Sequence, residues 1–232
     1  VGANNLTLDG NGHTLNGPGE CSQGNGIHFN ARTTLVIKNF IIKNFCDGMN
    51  FTNSINNSIL DNTITDNYTE GIYITNSSNN IISNNVFTDN GHEGIQIEYS
   101  VDDVISNNVF TDNGANQYNT YWSLYIGTSD GFSITGNTIS STSTAQWGES
   151  YACQKHDDGI TVTLNGSNED GLIENNNISN MCRAMLITSN DSGLDVKNNI
   201  INSGYQGIYC TGCEIFSNTI TNNEDYGISL GG

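Results

Sequence analysis

The sequence predicts an all-β chain, a right-handed single-stranded parallel β-helix of about nine rungs running through residues 1–232 as one domain. Three observations carry that expectation. The ten letters ISNNVFTDNG stand at Ile82–Gly91 and again, unchanged, at Ile105–Gly114, 23 residues on. A small residue followed by an alternating apolar triplet recurs at close to that interval, from Gly26-Ile27-His28-Phe29 to Gly227-Ile228-Ser229-Leu230. The stretches between are punctuated by Asn, Gly and Asp, and no helical period survives through them.

Each repeat reads as three short strands. The first is the small-residue triplet, as in Gly71-Ile72-Tyr73-Ile74 and Gly94-Ile95-Gln96-Ile97. The second follows as Ile81–Ser83, Val104–Ser106 and Leu172–Glu174, and the third as Val86–Thr88, Val109–Thr111 and Ile200–Asn202. A strand triplet this short cannot bury its apolar side alone. Wound into one turn and stacked on like turns, it forms a continuous core and pairs its backbone with the rungs above and below. At the usual strand spacing the rod is about 43 Å long. One turn position holds Asn in seven successive rungs, Asn62, Asn85, Asn108, Asn137, Asn176, Asn199 and Asn218. The expectation is that each adopts left-handed backbone and bonds to the Asn above and below.

Composition limits the partners. Six Lys+Arg against 24 Asp+Glu give a formal charge of −18, which argues against nucleic acid and against anionic membranes. No stretch is long and apolar enough to insert in a membrane. A neutral sugar, a calcium-bridged acidic glycan or another protein stays open. The chain starts at Val1, opens on second- and third-strand segments and closes on a first strand, with no amphipathic cap at either end. We therefore expect a piece of a longer chain or a unit that self-associates end to end.

Cys21 and Cys46 fall one rung apart, as do Cys153 and Cys182, which favours two disulfides across adjacent rungs. Cys210 and Cys213 form a short-loop bridge or stay free, and zinc through that pair would need two further ligands. Disulfides place the chain in an extracellular or cell-surface setting, with the periplasm as the other oxidising choice.

The phrases LTLDGNGHTLNG, LVIKNFIIKNFCDGMNF and NSSNNIISNN resemble the parallel β-helix repeat superfamily over essentially the whole chain. The likeness is greatest to its carbohydrate-binding and sugar-hydrolase-like members and to archaeal and bacterial surface proteins. One branch is the periplasmic copper-binding β-helix protein of nitrous oxide reductase maturation. Copper needs clustered His, Met or thiolate ligands. His13, His28, His92 and His156 fall in different rungs, which does not support carrying copper over.

Function is sought where the copying fails. Rung spacing runs 22, 23, 23, 29, 36, 25, 23 and 20 residues, and the long intervals contain Asp112–Trp122 and Ser141–Gly159. Both insertions enter just before a first strand, so they form a rim beside one face at mid-solenoid. The outward column of that face reads His28, Asn50, Tyr73, Gln96, Tyr125, Thr161, Leu186, Tyr209 and Ser229. Tyr73, Gln96 and Tyr125, with Tyr121, Trp122 and Trp147 at the rim, are the candidate sugar-binding residues. The plainer reading is that Tyr simply suits a strand surface. The residue before each small residue makes a second column, Asn25, Asp47, Glu70, Glu93, Trp122, Asp158, Arg183, Gln206 and Tyr226. Its acidic members are candidates for calcium, or a solvated acidic edge.

KHDDGITV, Lys155–Val162, is similar to the Asp-Asp-containing first strand of polygalacturonase-type β-helix hydrolases. That resemblance implies that Asp157 or Asp158 is general acid or base and that Lys155 or Arg183 holds an anionic sugar; His156 lies in the same candidate catalytic stretch. Glu93 falls two rungs from Asp158, about 9–10 Å along the axis, near the separation of an inverting pair. Neither the Gly-His-Gly nor the Arg-Ile-Lys element of those enzymes is present. The leading expectation is an extracellular β-helix that binds or modifies a polysaccharide on its first-strand face, by carboxylate acid–base hydrolysis or calcium-assisted lyase or epimerase chemistry. The alternative is a non-enzymatic surface, adhesin or filament subunit stacked end to end.

Overall fold

The computed structural model describes residues 3–21, 24–114, 122–142, 158–165, 170–189 and 193–231. They form the expected parallel solenoid, and no helix among them is long and apolar enough to cross a membrane. One rung shows how the sequence builds it. β9 (Ile72–Thr75), β10 (Ile81–Ser83) and β11 (Val86–Thr88) turn Ile72, Ile74, Ile82 and Phe87 inward, all fully buried, and leave Tyr73 and Thr75 outside. The next rung, β12 (Ile95–Glu98), β13 (Val104–Ser106) and β14 (Val109–Thr111), lies on it in register, with Ile72 against Ile95, Ile82 against Ile105 and Phe87 against Phe110. Like residues therefore stack on like. The Phe87 and Phe110 rings lie 4.9 Å apart at 11°, the spacing of the strands that carry them.

The second strands make a nine-stranded sheet from β1 (Thr7–Asp9) to β23 (Cys213–Phe216). First and third strands belong to one fifteen-stranded sheet, because in the last rungs they run on as single strands: β20 (Asn177–Thr188), β22 (Ile200–Thr211) and β24 (Thr219–Leu230). The small residue before each first strand answers a close approach. A Cβ at Gly71 would sit 2.5 Å from the Gly94 carbonyl oxygen of the rung above. In the final rung Ile228 and Leu230 are 48% and 72% exposed, since nothing among the described residues stacks above them.

The Asn column is structural, but its backbone differs from expectation. Positive φ belongs to the residue before each ladder Asn, at Asp61, Asn84, Asn107, Gly136, Asn175, Asn198 and Ser217, and not to the ladder residues themselves. The preceding residue makes the left-handed corner. That corner turns the next side chain inward, where Asn62, Asn85, Asn108, Asn137, Asn176 and Asn199 are almost wholly buried. The amide of Asn85 donates from Nδ2 to Asn108 Oδ1 at 3.1 Å and to the Ile59 carbonyl at 2.9 Å, while its own Oδ1 accepts from the amide and side chain of Asn62. The Asn-to-Asn donation repeats from Asn62 up to Asn218, so buried polar groups are satisfied along the column. Two shorter ladders run beside it, Asn57–Asn80–Asp103 and Asn67–Asn90–Asn113.

Candidate functional site

Strand register builds the first wall. Along β6 (Met49–Thr52), β9, β12, β15 (Trp122–Gly127), β18 (Asp158–Thr163) and the ends of β20, β22 and β24, each outward residue lies directly over the one below. The column is Asn50, Tyr73, Gln96, Tyr125, Thr161, Leu186, Tyr209, Ser229, with His28 beneath it. Tyr73, Gln96 and Tyr125 are half-buried on the wall. Tyr73 donates its hydroxyl to Glu98 Oε2 at 3.2 Å, and burial followed by the Glu98 charge raises its phenol above the ordinary range. Tyr125 stacks on Trp122, ring centroids 4.8 Å apart at 21°, so the two rings present one aromatic ledge.

The second column follows the same register at the wall's edge, where Trp122 pairs with Asp158, Asp158 with Arg183, Arg183 with Gln206 and Gln206 with Tyr226. Trp122 and Asp158 thus stand on the same wall, one rung apart. Asp158 is 2% exposed, and its Oδ2 accepts from Arg183 Nη2 at 2.9 Å. The two residues named separately as proton-transfer group and sugar clamp therefore hold each other, and either role requires that pair to open. Among the described residues, five buried polar atoms of this wall and its edge have no hydrogen-bond partner: Glu93 Oε2, Trp122 Nε1, Ser123 Oγ, Thr161 Oγ1 and Arg183 Nε.

Glu93 is the most perturbed group here. Burial dominates, and despite hydrogen bonds from its own amide and that of Trp122 its carboxyl is pushed up to about 7. A carboxyl at that value can give or take a proton near neutrality. Beside it, His92 reaches across to the rung below, its Nδ1 3.1 Å from Glu70 Oε1. Burial raises Glu70, but hydrogen bonds with His92 and Asp47 outweigh it and hold the carboxyl below its ordinary value, while burial carries Asp47 upward.

Tyr121, Trp147, Cys153, Lys155, His156 and Asp157 lie outside the described residues. Cys21–Cys46 and Cys210–Cys213 are disulfides, which resolves the choice left open for the second pair, and Cys182 is also disulfide-bonded. Sequence reasoning set Glu70 and Glu93 in one column as calcium candidates but missed that His92 joins them, although one rung spacing separates it from Glu70.

A search of curated proteins finds no match to the chain. Among solved structures, an alginate lyase from Paenibacillus sp. str. FPU-7 superposes with a TM-score of 0.68 at 16% identity, covering 94% of this chain and 80% of that one. PfbA, a surface adhesin of Streptococcus pneumoniae, superposes at 0.61 and 14% identity, covering 87% and 62%. The catalytic domain of a GH87 α-1,3-glucanase in complex with tetrasaccharides does so at 0.60 and 17% identity, covering 89% of this chain and about half, 48%, of its own. At these identities the likeness is one of fold. The model of the family described as periplasmic copper-binding protein (NosD) matches residues 4–152, and that of the right handed beta helix region matches residues 115–232.

The described residues do not gather the donors copper favours. Met49, Met181 and Met185 are buried in the core, the described cysteines are oxidised, and His13, His28 and His92 stand on separate rungs. In fold and in sequence pattern, the chain belongs to the NosD and right-handed beta-helix families of the parallel β-helix superfamily.

Proposed function

We propose that the chain binds a polysaccharide along its first wall at mid-solenoid, outside the reducing cytosol. The observation that carries this reading is the in-register column Tyr73–Gln96–Tyr125, with the Trp122 ring stacked at its side. Stacking at strand spacing turns three side chains into a straight track, which a linear polymer can follow. Aromatic faces suit the apolar faces of sugar rings. The Gln96 carboxamide, half-buried between the two tyrosines, can both donate to and accept from ring hydroxyls. The polysaccharide-active neighbours and the adhesin support a glycan-facing β-helix of this kind, and the disulfides with the periplasmic family description support the location. The formal charge of −18 favours a neutral glycan over a polyuronate.

Affinity electrophoresis in gels cast with neutral α-glucan or with alginate tests it. The expected result is retardation by a neutral polymer that weakens in Tyr125→Ala and in Tyr73→Ala, each by roughly 3- to 10-fold for the loss of one aromatic face. Mobility unchanged by every polymer tried, or retardation equal in wild type and both variants, refutes the reading.

A further inference from the structure

Glu70, His92 and Glu93 meet at the corner that leads into the first strands of two adjacent rungs. Glu70 precedes Gly71 and β9; His92 and Glu93 precede Gly94 and β12. The corner amides are tied between rungs, with Gly71 N–H donating to the Glu93 carbonyl and His92 N–H to that of Thr69, so backbone bonding holds the three side chains in place. One donor atom from each lies within 4.8 Å of the others. His92 Nδ1 and Glu70 Oε1 are 3.1 Å apart. Two donors on one tetrahedral zinc-sized ion, each at about 2.0–2.2 Å, come to lie roughly 3.3 Å from each other.

An ion pair between His92 and Glu70 accounts for those two residues but not for the third. Glu93 is 2% exposed, and its Oε2 has no hydrogen-bond partner among the described residues. A wholly buried carboxylate oxygen without a partner is costly. A cation beside it removes that cost. The Glu70 and His92 side chains keep 15% and 22% of their surface, so an ion can enter from solvent.

We propose that Glu70, His92 and Glu93 form a three-ligand site for a zinc-class divalent cation, with the remaining coordination position open. The imidazole nitrogen decides the class. Calcium and magnesium take oxygen ligands, whereas zinc accepts nitrogen and carboxylate oxygen together. With a single His, two carboxylates and no thiolate or thioether, the donor set is also unlike a soft-metal site. The proposal stands apart from glycan binding: the ion needs only this corner, one rung below Trp122.

Isothermal titration of EDTA-stripped protein with zinc chloride, then with calcium chloride, tests it. The expected result is one high-affinity zinc per chain, a zinc-dependent rise in melting temperature, and no matching calcium isotherm. Affinity falls by at least about 100-fold in Glu93→Gln, beyond what outer-shell changes usually cost. His92→Asn, at a side chain exposed enough to be replaced without opening the core, loses the isotherm as well; circular dichroism confirms that both variants keep the β-solenoid. Absence of stoichiometric zinc in wild type, unchanged zinc binding in the two folded variants, or calcium binding as tight as zinc overturns the assignment.

Discussion

Replacing Asp103 by Asn converts a pH-dependent weakness into a neutral rung. Asp103 ends the short ladder above Asn57 and Asn80; its Oδ1 accepts from the amide and side chain of Asn80 at 2.8 and 3.0 Å, while Oδ2 is buried without a hydrogen-bond partner among the described residues. Burial dominates and carries the carboxyl from 3.8 to about 7, against the pull of the Asn80 bonds and with a smaller push from Asp102. Over that window the folded chain holds a proton that the unfolded chain has released, so the contribution is intact below the lower value and drains away as pH rises through the upper one. A carboxyl raised that far costs the fold about 4 kcal/mol by the alkaline side of the window. Asn carries no such penalty, and the same column already accommodates Asn57 and Asn80. Urea unfolding of wild type and Asp103→Asn is therefore expected to show no stability gap near pH 4 and a gap of about 4 kcal/mol in favour of the variant near pH 8. A gap independent of pH, or a wild type more stable than the variant at the higher pH, refutes the reasoning.

Arg183→Met removes the guanidinium from which the buried Asp158 carboxylate accepts, so a loss of about 3 kcal/mol is expected in chemical denaturation. Adding Asp158→Asn to that variant should recover most of it, and a double variant no more stable than the single one contradicts the pairing. Asn108→Ala, in the middle of the long ladder, strands the Asn85 backbone N–H, which donates to Asn108 Oδ1, and the Ile82 carbonyl, which accepts from Asn108 Nδ2. A cost of about 2 kcal/mol or more follows, read as a lower denaturation midpoint, whereas an unchanged midpoint means the column is dispensable.

Much of the scaffold was legible because its signals repeat. The small residue and triplet of each rung located the first strands, and Ile82–Gly91 copied at Ile105–Gly114 located the second and third strands and set their register. The long Asn column was visible too, but the chain has 39 Asn, and at that density a column does not say which neighbour takes the left-handed corner. The shorter ladders through Asn80 and Asn90 were hidden by the same abundance. At the site, the wall and its Tyr73–Gln96–Tyr125 column follow from period-two alternation, so sequence sufficed. The partnership of Asp158 with Arg183 did not emerge, because a charged residue at a rim suits a substrate as well as it suits a neighbour one rung away. Glu93 was hardest to foresee. Its carboxylate accepts from the Trp122 backbone of the next rung and is 2% exposed, which no spacing within one rung encodes.

The most direct test of the account is a crystal structure with a bound neutral oligosaccharide. The account predicts sugar rings along Tyr73, Gln96 and Tyr125 on the first wall, running with the solenoid axis beside Trp122. Rings bound instead on the nine-stranded second wall, with the Tyr125 face left bare, contradict it.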